Sequence, residues 1–193
     1  INGIEGLGIS DTICAPDVPE QLPVLHVDEP TISMTFQVNN SPFAGNKDHS
    51  GGKFLTSRQI RDRLLRETLH NVAMKMEETE DPDKFKVSGR GELHLSVLIE
   101  TMRREGYELA VSRPEVIIKD IDGVASEPIE QLVVDMEEAY QGGVMERLGT
   151  RRGQLTNMEP DGKGRVRLEY MIPARGLIGF QTEFHTITAG TGL

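Results

Sequence analysis

The 193 residues carry 21 Lys and Arg against 31 Asp and Glu, a net charge of −10, with 37% hydrophobic and 27% charged residues. This balance is that of globular domains; it excludes a disordered chain and argues against a free-standing DNA-binding protein, which carries a basic surplus. A single cysteine, Cys14, excludes an internal disulfide and a cysteine cluster for zinc, and no apolar run approaches the ~20 residues that cross a bilayer.

The length favours two small domains over one large one. The chain opens Ile1-Asn2-Gly3, without a Met or a secretory leader pattern, and closes Thr191-Gly192-Leu193, so the expectation is an internal piece of a longer cytoplasmic protein. Residues 1–27 hold four acids and no Lys or Arg. Ile4, Leu7, Ile9 and Ile13 among glycines read as short strands with tight turns, and Pro16, Pro19, Pro23 and Pro30 mark a linker.

From Thr31 to Asn39, Ile32, Met34, Phe36 and Val38 alternate with polar residues, which predicts a half-buried strand. A polar, Gly-rich loop follows over 40–53. Thr56 or Ser57 then caps a helix with Ile60, Leu64, Leu65 and Leu69 at helical spacing. Val72, Met74 and Met76, the turn Glu80-Asp81-Pro82-Asp83, and Phe85 and Val87 read as a hairpin. A second helix presents Leu95, Leu98, Ile99 and Met102 and stops at Gly106, and Tyr107, Leu109 and Val111 form a strand. The order is βαββαβ, a ferredoxin-like split unit over 28–115.

After a strand at Val116-Ile117-Ile118 and the pair Asp122-Gly123, the same order restarts. Ile129 to Met136 is a strand, Gly142 to Arg151 a helix with Val144, Met145 and Leu148 inward, and Gln154 to Met158 a strand before the turn at 159–162. Val166, Leu168, Tyr170 and Ile172 give the clearest period of two, and one helix is predicted from Arg175-Gly176 through Leu177, Phe180, Phe184 and Ile187. The fold class is therefore α+β. Two ferredoxin-like units occupy 28–115 and 116–193, the second lacking its closing strand, behind a β-barrel remnant and linker over 1–27.

Enzymatic motifs are missing. The loop from Gly45 to Phe54 resembles a phosphate loop, but Lys47 stands where its first glycine belongs and Phe54 where its hydroxyl belongs. Gly89-Arg90-Gly91 lacks the third glycine of a dinucleotide fingerprint. His26, His49, His70, His94 and His185 show no metal-binding spacing and no neighbouring nucleophile. The acids between Glu77 and Asp83 belong to a strand end and turn. With 5% aromatics and no Trp, base stacking on a sheet is not expected, so any RNA contact would run through Arg and phosphate.

Three regions carry a resemblance. Ser88-Gly89-Arg90-Gly91-Glu92-Leu93-His94-Leu95, with Arg103-Arg104-Glu105-Gly106-Tyr107-Glu108 and Ser112-Arg113-Pro114-Glu115-Val116, resembles the third domain of translational GTPases of the elongation factor G class, within it the BipA (TypA) branch. Glu127-Pro128-Ile129-Glu130, Gly142-Gly143-Val144-Met145, Arg151-Arg152-Gly153-Gln154 and Met158-Glu159-Pro160 resemble the fifth domain of that class. Ile9-Ser10-Asp11-Thr12-Ile13 resembles the end of its barrel domain II, with Ser10 where the family has Gly. The resemblance implies the middle of a cytoplasmic, monomeric GTPase linked to ribosome assembly and stress adaptation. GTP and Mg would belong to a G domain that this chain lacks, so the chain itself would have no catalytic residues, cofactor or metal.

The implied partner is the ribosome, rRNA and ribosomal proteins of both subunits, with no DNA and no membrane. Most of the bases are Arg, whose fork grips a phosphate at two points. The candidates are Lys47 and Lys53 in the loop; Arg58, Arg61 and Arg66 off the apolar stripe of the first helix; Arg147, Arg151 and Arg152 in the second unit; and Arg175, read as opening a helix whose free amides favour phosphate. The ordinary alternative pairs these arginines with Asp62, Glu67 and Glu146 on a solvated surface. Two other readings are a different elongation factor G-like fragment and a small-molecule-sensing pair of the ACT type.

Overall fold

A computed structural model describes residues 9–24, 27–46 and 51–193, and divides the chain into two compact units, Ile1–Arg113 and Pro114–Leu193. Both are mixed α/β. No helix among the described residues is long and apolar enough to cross a membrane.

In the first unit the elements run β1 (Ile32–Val38), α1 (Ser57–His70), β2 (Lys75–Glu78), β3 (Lys84–Gly89), α2 (Glu92–Glu105) and β4 (Leu109–Val111). The sheet order is β2-β3-β1-β4. β1 pairs antiparallel with both β3 and β4, in a register that sets Phe36 opposite Phe85 and Met34 opposite Val87. Because side chains alternate across a strand, these four share one face with Ile32, and all are buried. Ile60 and Leu64 of α1 and Leu95, Leu98 and Met102 of α2 complete the core, each contributing ~1.5–3 kcal/mol on full burial.

Local chemistry sets the helix ends. Thr56 caps α1 in a reciprocal box: its hydroxyl accepts from the Gln59 N–H while the Gln59 carboxamide accepts from the Thr56 N–H. α2 stops at left-handed Gly106, whose N–H reaches back to Met102 and Arg103.

Two expectations need correction here, and a third lies mostly outside the described residues. Leu65 and Leu69 are exposed, because the sheet covers only the narrow stripe of Ile60 and Leu64 and the neighbouring inward position is taken by Arg63, 9% exposed. Val72 is exposed and outside the hairpin, since the Met74 N–H donates to the Asn71 carbonyl in a turn and β2 begins at Lys75. The expected barrel strands of residues 1–8 lie outside the described residues, and residues 9–24 contain no strand.

The second unit opens with β5 (Glu115–Val116), β6 (Lys119–Ile121) and β7 (Val124–Ser126). The strand expected at 116–118 is the two-residue β5, which ends at Val116, and β6 and β7 then form a hairpin. Its turn needs positive φ at both central residues, met by Asp122 at 54° and Gly123 at 81°. Then come β8 (Ile129–Glu137), a 3-10 turn (Glu138–Tyr140), α3 (Gln141–Thr150), β9 (Gln154–Pro160), β10 (Arg165–Pro173), α4 (Ala174–Leu177) and α5 (Phe180–Ile187). β10 is central in an antiparallel sheet of order β8-β10-β9.

Val134, Met136, Val166, Leu168, Tyr170 and Ile172 of this sheet pack with Val144, Leu148, Phe180 and Phe184 in one core. β9 runs on through Glu159 and Pro160, which were expected in the turn. The single helix expected after β10 is two helices, because Gly179 at φ 70° cannot continue a right-handed helix. Leu193 and Asp135 exchange both backbone hydrogen bonds at 2.8 Å, the mark of an antiparallel pair at the β8 edge left free by β10.

Candidate functional site

The two units are taken separately. In the first, Arg61 Nε donates to Glu78 Oε1 at 2.6 Å, tying α1 to β2. An Arg66 terminal nitrogen donates to the Tyr107 hydroxyl at 3.3 Å, and its Nε to the Asp62 carbonyl at 3.4 Å. Lys53 and Arg58 are exposed, and neither forms an ion pair with another described residue. Lys47 lies outside the described residues, as do His26 and His49.

The buried member of the α1 cluster is Arg63. Its Nε and a terminal nitrogen fork onto Glu105 of α2 at 2.6 and 2.9 Å, and its other terminal nitrogen donates to Glu67 at 2.9 Å. Glu105, first through these hydrogen bonds, pushes the guanidinium above its usual value, and Arg63 in turn holds the Glu105 carboxyl low. Arg63 is thus internally neutralised. It cannot meet a partner's phosphate without leaving two carboxylates behind.

In the second unit Arg147 forks onto Glu183 of α5 with two bonds of 2.7 Å, and Arg151 reaches the same carboxylate at 3.0 Å. Arg147, reinforced by Arg151, holds the Glu183 carboxyl down at about 2. Arg151 also donates to the carbonyls of Gly176 at 2.7 Å and Ile178 at 3.0 Å, and lies 5.5 Å above the Phe180 ring. These bonds satisfy carbonyls in and just beyond the last turn of α4, a helix too short to pair them itself.

Arg175 forks onto Glu127, which raises the Arg175 pKa and lowers that of Glu127. It is the second residue of a four-residue helix and does not open the long helix that was expected to present free amides. Arg152 follows α3 at φ 63°, exposed and without an ion pair to another described residue. Arg147 and Glu183 line an open groove of about 470 Å³ between α3 and α5, together with Gly143, Thr150, Thr182 and Thr186. Among the described residues no group of three His, Cys, Asp or Glu could hold a metal ion.

The candidates therefore form two groups. Arg61, Arg66, Arg147, Arg151 and Arg175 already hold partners within their own unit, at Glu78, Tyr107, Glu183 and Glu127. Lys53, Arg58 and Arg152 form no ion pair with a described side chain, although the Glu127 carboxylate feels the charge of Arg152 at longer range. Arg147 pairs not with one of the carboxylates nominated from sequence but with Glu183, 36 positions away. Sequence spacing contains no signal for that pair, since only the α3–α5 packing brings it together.

Residues 124–193, most of the second unit, match the family described as Elongation factor G C-terminus. Over all 193 residues the chain is 65% identical to the large ribosomal subunit assembly factor BipA of Salmonella typhimurium, 64% to that of Escherichia coli and 58% to that of Buchnera aphidicola. Along its whole length the chain is similar to these BipA proteins, and within its second unit it matches the elongation factor G C-terminus. It spans about a third, 31%, of the length of these curated relatives.

Proposed function

We propose that this chain is the ribosome-docking middle of a BipA-type translational GTPase that acts in ribosome assembly and stress adaptation in the cytoplasm. The carrying observation is the identity that runs unbroken through both units to proteins named as large ribosomal subunit assembly factors. In this reading residues 1–27 end a β-barrel domain II, 28–115 form domain III and 116–193 domain V. Both α/β units are ferredoxin-like. The order β2-β3-β1-β4 with two helices on one face supports this for the first, and β8-β10-β9 with Leu193 starting a pair beside β8 supports it for the second, whose closing strand would continue from there.

GTP and Mg are bound by a G domain outside these residues, and the chain itself is a docking module without catalytic groups. Its contacts are with phosphates and proteins of both ribosomal subunits, and the protein works as a monomer. The nine nominated residues contribute unequally. Lys53, Arg58 and Arg152, and Lys47 with them, neutralise rRNA phosphates, releasing counterions. Arg61, Arg66, Arg147 and Arg175 add to the positive field while partly compensated, and Arg151 shapes the surface around them. Cosedimentation of the full-length protein with ribosomes, with GTP and with GDP, tests the proposal: pelleting that depends on the nucleotide supports it, and a protein that stays in the supernatant under both conditions refutes it.

A further inference from the structure

Glu108 is a carboxylate with no place in the core. It is 8% exposed and immediately precedes β4. Its oxygens face the loop that leaves β1: Asn39 Nδ2 donates to Oε1 at 2.8 Å, and the Gly45 N–H donates to both oxygens at 3.3 and 3.1 Å. The returning limb passes equally close. A Cβ on Gly52 would stand 2.7 Å from the Glu108 Cβ and 2.8 Å from Oε2, so only glycine fits there.

Beyond Gly52 the chain is stitched to the same connection. The N–H groups of Lys53 and Phe54 donate to the Gly106 carbonyl at 2.8 and 3.1 Å, and the Glu108 N–H donates to the Phe54 carbonyl at 3.0 Å. The Lys53 stem rests on Gly106, and the Phe54 and Tyr107 rings lie 4.7 Å apart. Tyr107 also accepts from Arg66. Three residues, Gly106 to Glu108, thus fix both limbs of a loop that is otherwise polar and glycine-rich, and leave Phe43 57% exposed on it. A buried carboxylate costs more desolvation than an apolar side chain in the same place, and it recovers that cost only through the loop it ties down.

We infer that Glu108 is a positioning residue for docking: its carboxylate holds residues 39–46 and 51–54 in the one shape that presents Lys53 to an RNA phosphate. The inference rests on the docking reading above and names how the first unit achieves it. A lysine held by its backbone and stem loses less conformational entropy on binding than one on a free loop, so the clamp acts as preorganisation. Losing it weakens binding while leaving the core of Ile32, Phe36, Leu64 and Met102 in place.

The test uses the full-length protein and its Glu108→Gln, Asn39→Ala and Lys53→Ala variants, with ribosome affinity from cosedimentation and amide exchange read at Gly45. Glu108→Gln keeps the volume but cannot accept from both donors with both oxygens, and Asn39→Ala removes one donor from a half-buried loop position without threatening the fold. The expected result is faster exchange at Gly45 with unchanged exchange in β1 and α2, and affinity lower by about fivefold for Glu108→Gln, no more than Lys53→Ala itself costs, and by less for Asn39→Ala. Lys53→Ala should cost about fivefold in the parent and almost nothing on top of Glu108→Gln, because residues that act as a unit are not additive. Parental affinity in Glu108→Gln, or losses that simply add, overturns the inference and leaves the docking reading intact. Absence of binding by the unsubstituted protein overturns both.

Discussion

Replacing Arg63 with Ala removes a buried cation whose partners, Glu67 and Glu105, lie on both α1 and α2. The change deletes two bonds to Glu105 and one to Glu67. Charge-assisted hydrogen bonds contribute ~1.5–3 kcal/mol each when shielded, and exposed pairs under ~1. Arg63 is buried, but the Glu105 side chain is 38% exposed, so water recovers part of what the carboxylates lose. The expected loss is about 2–3 kcal/mol, below the ~3–5 of a fully buried pair.

The pH dependence has a definite sign. The Glu105 carboxyl is lowered in the folded chain, so its contribution is fully present above the unfolded value of about 4.3 and disappears as pH falls through the lowered folded value. Arg63→Ala should flatten that acid limb. Amide exchange of the β1 and β3 peptides, followed from pH 7 to 3 in a pulse-labelled urea series, reads the local unfolding free energy of this unit. A loss under about 0.5 kcal/mol with an unchanged acid limb would refute the reasoning, since that is the size of an ordinary surface substitution.

Other outcomes follow from the second unit and the entry segment. Arg151→Ala should destabilise the second unit by about 2 kcal/mol in thermal unfolding, through two orphaned carbonyls and the lost Phe180 contact, whereas Arg147→Ala should leave the melting temperature nearly unchanged. Gly176→Ala should cost more than 2 kcal/mol, because the new Cβ would meet the Arg151 carbonyl at 2.7 Å and Ile172 at 3.1 Å. Ser10, at φ 76°, occupies a conformation costly for any residue with a Cβ, so Ser10→Gly should gain about 1 kcal/mol in protease resistance of the 9–24 segment.

The strands were legible wherever one face is buried. Ile32 to Val38 and Val166 to Ile172 alternate cleanly because each lies inside a sheet whose one face meets helices. α1 misleads at Leu65 and Leu69 for a tertiary reason: helical spacing tells which residues share a side, but α2 and the sheet cover only part of that side, and Glu105 draws Arg63 inward. The break at Gly179 is local chemistry that an apolar stripe running from Leu177 to Ile187 conceals. The pairs Arg63 with Glu105, Arg147 with Glu183 and Asn39 with Glu108 join residues 36 to 69 positions apart, and no sequence period encodes them. The division of the candidate cations into compensated and uncompensated groups is therefore a product of the fold.

Salt dependence of ribosome binding tests the docking account most directly. In the full-length protein, log affinity falls linearly with log salt, with a slope of about 0.7–0.9 per phosphate neutralised. Removing Lys53, Arg58 and Arg152 together by alanine substitution should weaken binding at low salt and reduce the slope by about 2–3, three contacts at that value. Removing Arg61, Arg147 and Arg175, whose charges are already answered by Glu78, Glu183 and Glu127, should reduce it by less. An unchanged slope in the first triple variant, or an equal drop in both, would contradict the account.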